Sequence, residues 1–175
     1  DAWGNPTNDL GYCSSLFTRI QSVLKSPSFE VVFEESQGDS LGQVLDGFLS
    51  SRSRVLRLCL SATSYEFNAR EILANVIGRK LLSYARNERF TNRPLLAVVD
   101  EAHNFLGKKV GFEEYATRLD AFEIIAKEGR KYGLNICLTT QRPRDITEGV
   151  ISQMGTLLVH RLTNSNDREL VERAC

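Results

Sequence analysis

The chain has 175 residues, 42% of them apolar and 25% charged, a composition that suits an ordinary globular protein with a sizeable core. Lys plus Arg (22) equals Asp plus Glu (22), so no overall basic field advertises nucleic acid, although a local basic lining in an assembled ring stays compatible with that balance. No apolar run is long enough to cross a bilayer, no signal peptide opens the chain, and a cytoplasmic protein is the expectation. Cys13, Cys59, Cys137 and Cys175 form no C-x-x-C pair. Cys59 and Cys137 fall inside apolar runs and read as buried reduced thiols. His103 and His160 lack partners at metal-ligand spacing, so no zinc site is expected.

Residues 1–8 are turn-rich and predict no regular structure, with Thr7 or Asn8 capping a helix from about Leu10 that aligns Leu16, Ile20 and Leu24. A short strand is predicted over 29–33, a turn over 37–40, and a helix over 41–49 capped by Ser40. The run Val55 to Leu60 predicts a strand. Ser64 opens a long helix to about Ala85, apolar at Phe67, Ile72, Val76, Leu81 and Leu82. After Pro94 comes Leu95-Leu96-Ala97-Val98-Val99, an unbroken apolar run of the kind that is buried on both faces in a parallel sheet. Residues 107–115 read as a loop carrying Lys108, Lys109 and Gly111. A helix is predicted over 118–132, ended by Gly133 in a left-handed cap, and a strand over 134–140. A short helix over 146–153, a strand over 156–160 and a closing helix from about Ser165 complete the chain. Strand and helix alternate from residue 55 onward, which predicts an α/β fold with a mostly parallel sheet flanked by helices.

The apolar run at 95–99 ends abruptly in Asp100 and Glu101. In open α/β sheets the carboxyl edge of the strands is where ligands bind. An Asp there can hold the hydration shell of Mg²⁺, and a neighbouring Glu can orient or deprotonate a water, the arrangement known as Walker B in nucleoside triphosphatases. If strands 95–99 and 134–140 are neighbours, Gln141 shares that edge and can hydrogen-bond a γ-phosphate or its attacking water without adding charge. Arg130 precedes the second strand and falls at the opposite edge, out of reach of its own subunit's phosphates but within reach of a neighbour's in a ring.

Five ordered blocks then carry a specific resemblance: residues 95–104 with Asp100, Glu101 and His103; 126–133 with Arg130; 138–143 with Gln141 and Arg142; 151–155; and 159–164 with Arg161. Together with residues 57–61 they resemble the HerA branch of the HerA/FtsK ATPases, hexameric P-loop motors that translocate double-stranded DNA. The resemblance implies a partial RecA-like P-loop NTPase core over 54–175, preceded by a helical and edge-strand segment over 1–53. It further implies that Asp100 assists Mg²⁺, Glu101 polarises the attacking water, Gln141 is the sensor glutamine, and Arg130 is an arginine finger acting on the ATP of the adjacent subunit. Arg142 would contact the interface or phosphate, and Lys108 and Lys109 would touch duplex DNA from a pore loop. Implied partners are ATP, double-stranded DNA, further copies in a homo-hexamer, and a nuclease, in DNA end processing or in defence.

The departure from the family is the missing G-x-x-x-x-G-K-[ST] loop that cradles phosphates. With no initiator Met, the expectation is a carboxyl-terminal portion of an ATPase domain that does not hydrolyse ATP alone. Two alternatives stay open: an ATPase of the conjugative type IV secretion kind, and a non-catalytic, P-loop-less module that joins rings through Arg130.

Overall fold

The computed structural model describes residues 6–26, 38–63, 68–106, 109–110 and 117–174. The predicted strand at 29–33, the Ser64 cap, Phe67 and Lys108 lie outside the described residues. Two compact units divide the chain, residues 1–70 and 71–175.

In the first unit, helix α1 runs Pro6–Leu24. Proline suits a first helical position because its missing N–H would have no intrahelical partner there. The helix therefore begins earlier than the turn-rich composition suggested, and Thr7 and Asn8 lie inside it rather than capping it. Leu16, Phe17, Ile20 and Leu24 are all exposed. Helix α2, Leu41–Ser50, starts as predicted. Ser40 Oγ accepts from Gln43 N at 3.3 Å, and Gln43 Oε1 accepts from Ser40 N at 2.7 Å, a reciprocal cap. The predicted strand at 55–60 is a correction: the backbone there pairs with no strand among the described residues, and Val55 is 82% exposed. Arg70 ties the turn that follows to helix α3, donating from Nε to Thr63 O and from Nη2 to Ser61 O.

Helix α3 runs Ala69–Arg86 and buries Leu81, Leu82 and Ala85 in the second unit, while Val76, placed on its apolar face by periodicity, is exposed. Gly78 lets α3 approach the next long helix closely, since a Cβ there would meet Ala121 Cβ at 2.8 Å. Strand β1, Leu95–Val99, pairs in parallel with β4, Leu134–Leu138, in the register Leu95↔Leu134 through Val99↔Leu138. The fold class is thus α/β, with a parallel pair among helices. Between the two strands, β2 (Lys109–Val110) and β3 (Thr117–Arg118) form a short antiparallel ribbon where a plain loop was expected. Helix α4, Ala121–Glu128, continues as a 3₁₀ turn, Gly129–Tyr132, which Gly133 ends at φ 73 as predicted. A second 3₁₀ turn (Pro143–Asp145), helix α5 (Glu148–Ile151) and helix α6 (Ser165–Ala174) follow.

Burial is one-sided, which corrects the expectation for β1. Side chains alternate across a strand, and Leu96 and Val98 are exposed while Val99 is buried. Phe90, Leu106, Ile125, Leu134 and Val150 are the largest fully buried side chains, so the core of this unit lies on the α4 side of the pair. Cys59 and Cys137 are exposed rather than buried. The predicted strand at 156–160 forms no ladder among the described residues, and Leu158 is 95% exposed. No described helix is long and apolar enough to cross a membrane.

Candidate active site at the carboxyl edge of the parallel pair

The ladder between β1 and β4 runs past the strand ends. Thr139 N donates to Val99 O at 3.0 Å, and Ala102 N returns a bond to Thr139 O at 2.9 Å. Those bonds hold the two post-strand segments, 100–104 and 139–142, side by side. Side chains then cross between them. Thr139 Oγ1 donates to Asp100 Oδ1 at 2.5 Å, and the same oxygen accepts from Glu101 N at 3.1 Å. Gln141 Nε2 donates to Glu101 Oε1 at 2.8 Å. The parallel register of β1 with β4 therefore brings Asp100, Glu101 and Gln141 to one edge, as expected if the two strands are neighbours.

Glu101 sits at φ 49, ψ 47, a left-handed backbone that a residue with a Cβ seldom adopts outside constrained sites. It turns the chain from β1 into the 3₁₀ helix Ala102–Asn104, and Ala102 is fully buried beneath it. Glu101 Oε2 is buried with no aligned hydrogen-bond donor, and His103 Nδ1 stands 3.3 Å from it. That imidazole lies 3.0 Å from Thr140 Oγ1, which also accepts from Arg142 N at 3.0 Å. The Thr139–Thr140 pair thus ties the acidic turn to the segment after β4. The tie between Asp100 and Thr139 and the contact of His103 with Glu101 had no periodic or motif signal.

Arg130 is elsewhere. It is exposed in the 3₁₀ turn before β4, so the five residues of the strand, about 16 Å at 3.3 Å each, separate that turn from the acidic cluster. It lines an open groove of about 870 Å³ between β4 and residues 153–162, whose walls include Ile136, Leu138, Leu157 and Val159. Arg142 is exposed at the start of the Pro143–Asp145 turn. Lys109 belongs to the β2–β3 ribbon. Among the described residues no group of three or more His, Cys, Asp or Glu side chains gathers as a metal site.

No family model matches the chain. It is similar to curated proteins described as the DNA double-strand break repair helicase HerA. The protein of Pyrococcus furiosus is 38% identical over 81 residues, which is 46% of this chain and 14% of the relative. That of Sulfurisphaera tokodaii is 27% identical over 137 residues, 74% of this chain and 26% of the relative. A probable HerA of Methanocaldococcus jannaschii is 26% identical over 129 residues, 73% of this chain and 25% of the relative. The chain spans about a quarter or less of the length of these relatives.

Proposed function

We propose that this HerA-like chain is part of an ATP-driven double-stranded DNA translocase or helicase, a motor that works as a homo-hexameric ring in DNA end processing or defence. The observation that carries the reading is the hydrogen bond from Gln141 to Glu101 across the carboxyl edge, with Asp100 beside it. The similarity to proteins named as DNA repair helicases supports the same reading.

In this role Glu101 orients the attacking water and accepts its proton, while Gln141 fixes the carboxylate and senses the terminal phosphate. Asp100 is exposed, and the hydrogen bonds it accepts from Glu101 N and Thr139 Oγ1 both engage Oδ1. A single carboxylate at a strand end fits Mg²⁺, which keeps several of its own waters and needs only one or two protein ligands. When bound, the ion would neutralise charge on the phosphates of ATP. Arg130, at the far end of β4, serves the ATP of the adjacent subunit as an arginine finger, and Arg142 stands near the same edge for an interface or phosphate contact. The phosphate-cradling loop comes from polypeptide outside these 175 residues, so the chain alone is inactive. Lys108 and Lys109 contact duplex phosphates without reading sequence. A nuclease is the partner that the relatives' role in break repair suggests, and the setting is cytoplasmic.

The test is ATP turnover by the longer polypeptide that contains this chain, with and without linear duplex DNA, beside Glu101→Gln. Turnover stimulated by DNA and lowered about 100- to 10,000-fold by the substitution is the expected result. Equal turnover in the two proteins, or none in the wild type, overturns the motor and leaves a non-catalytic ring module.

A further inference from the structure

The carboxylate of Glu101 has two oxygens in different situations. Gln141 donates to Oε1, whereas Oε2 is buried and lacks an aligned donor. A buried carboxylate oxygen without a donor is unfavourable, and the polar atom beside it is His103 Nδ1 at 3.3 Å. The ring is itself only 13% exposed, so water has little access to replace it.

The hydroxyl of Thr140 then decides which way the imidazole proton points. A threonine oxygen offers two lone pairs and one proton. Arg142 N–H occupies one lone pair, and His103 Nδ1 lies 3.0 Å away on another side. Were Nδ1 bare, the Thr140 proton would have to point at it, and its lone pair would face an ionised carboxylate oxygen at 3.3 Å with no hydrogen between them. With Nδ1 protonated, its N–H is directed at Thr140 Oγ1, and its positive end, 3.3 Å in N···O distance from Glu101 Oε2, attracts the carboxylate instead of repelling it. Electrostatics favour the second arrangement.

The geometry points to His103 as the positioning residue for Glu101: its Nδ1–H, directed at Thr140 Oγ1 with Nδ1 3.3 Å from Glu101 Oε2, holds by electrostatic attraction the carboxylate oxygen that Gln141 leaves unheld. This assignment rests on the reading of Glu101 as the residue that activates water, although the placement of the proton does not. His103 does not itself touch substrate. Its contribution is to restrict the carboxylate to one orientation by linking the turn after β1 to the segment after β4.

Two measurements separate the inference from the motor reading. Long-range ¹H–¹⁵N correlation on the ¹⁵N-labelled chain reports the tautomer of each histidine, with His103→Asn assigning the signals against His160. The expected result is a protonated Nδ1 and a bare Nε2 on His103, shifting toward the Nε2–H form in Glu101→Ala. A bare Nδ1 in the wild type, or a tautomer unmoved by Glu101→Ala, overturns the inference whether or not ATP is hydrolysed. In the longer polypeptide, His103→Ala should lower kcat for ATP by about 10- to 100-fold with KM held, as expected for a misplaced reacting group. His103→Asn, whose amide can place an N–H near the position of Nδ1, should recover most of that loss. A rise in KM with kcat intact, or no recovery by Asn, would show a role in packing or binding and overturn the inference. Absence of turnover in the wild type sinks the motor reading, and the tautomer then decides the inference on its own.

Discussion

Residues 56–61 and 134–139 carry nearly the same six-residue pattern: Leu56-Arg57-Leu58-Cys59-Leu60-Ser61 against Leu134-Asn135-Ile136-Cys137-Leu138-Thr139. Only the second becomes a strand. Its neighbour β1 supplies a five-residue parallel ladder, and the buried Leu134 anchors its start against the core. The first has no ladder partner among the described residues, and Leu58 is 40% exposed. β-propensity describes how well side chains suit a pleated, half-buried surface, and it cannot supply the neighbour that makes the surface. The hydroxyl that closes each pattern follows the same division. Thr139 reaches across to Asp100 of β1's end, whereas Ser61 turns back on Cys59 at 3.0 Å.

The largest effect that can sharpen this contrast is at the amino-terminal end of β4. Arg130→Ala in the longer polypeptide should reduce ATP turnover about 1,000-fold or more if the residue is an arginine finger. The same substitution should leave stability within about 0.5 kcal/mol, because the side chain is exposed. Turnover that falls only in step with stability would reduce Arg130 to a helix-end cation. Wild-type and Arg130→Ala subunits mixed in varying ratio would show whether the effect acts on a neighbour's site.

Hydrogen exchange tests the contrast itself. The amides of β4 that enter the ladder should be protected about 1,000-fold or more, while those of 56–60 should exchange close to the free rate. Comparable protection in the two segments would mean that 56–60 has found a partner.

A smaller effect is expected where β4 begins. Gly133 has φ 73, and a Cβ on it would lie 2.5 Å from Phe90 O. Gly133→Ala should therefore destabilise by about 2 kcal/mol, seen as a lower denaturant midpoint at unchanged slope. Gly149→Ala, where nothing lies within 4 Å of the added carbon, should stay within about 0.5 kcal/mol. Equal losses in both variants would remove the close approach of Phe90 as the cause.

These expectations also show which parts of the molecule the sequence made legible. The Ser40 cap, the Gly133 terminator and helices α2 and α6 were readable because each is set by local chemistry, whereas the neighbouring of β1 with β4 entered the sequence reading as a condition that the parallel ladder fulfils. The convergence of Asp100, Glu101 and Gln141 followed from that neighbouring. What escaped depends on contacts far apart in the chain. The exposure of Leu96, Val98 and Cys137, and the lack of a ladder for 55–60 and 156–160 among the described residues, follow from which neighbours each segment has. An apolar run looks the same with or without them. The left-handed Glu101 was also invisible, since it is a turn forced by its surroundings at a residue whose own preference is otherwise.

The two cysteines of the repeated pattern give the finest test. Both are exposed, so access does not separate them. The Ser61 hydroxyl beside Cys59, and then its backbone N–H, stabilise the thiolate and hold the Cys59 thiol below its usual range, with Arg57 and Arg70 adding to the effect. A lowered thiol pKa leaves more thiolate at neutral pH, and thiolate is the form that reacts. Cys59 should therefore be alkylated by iodoacetamide faster than Cys137 at about pH 7, by about threefold to tenfold once the lower nucleophilicity of a more acidic thiolate is allowed for. The advantage should shrink as pH rises above the ordinary thiol range. Ser61→Ala should bring Cys59 back toward the rate of Cys137. If Cys59 keeps its lead without the hydroxyl, the arginines set its reactivity. If Cys137 reacts as fast in the wild type, the difference between a hydroxyl spent across a ladder and one turned back on its own segment has no chemical consequence.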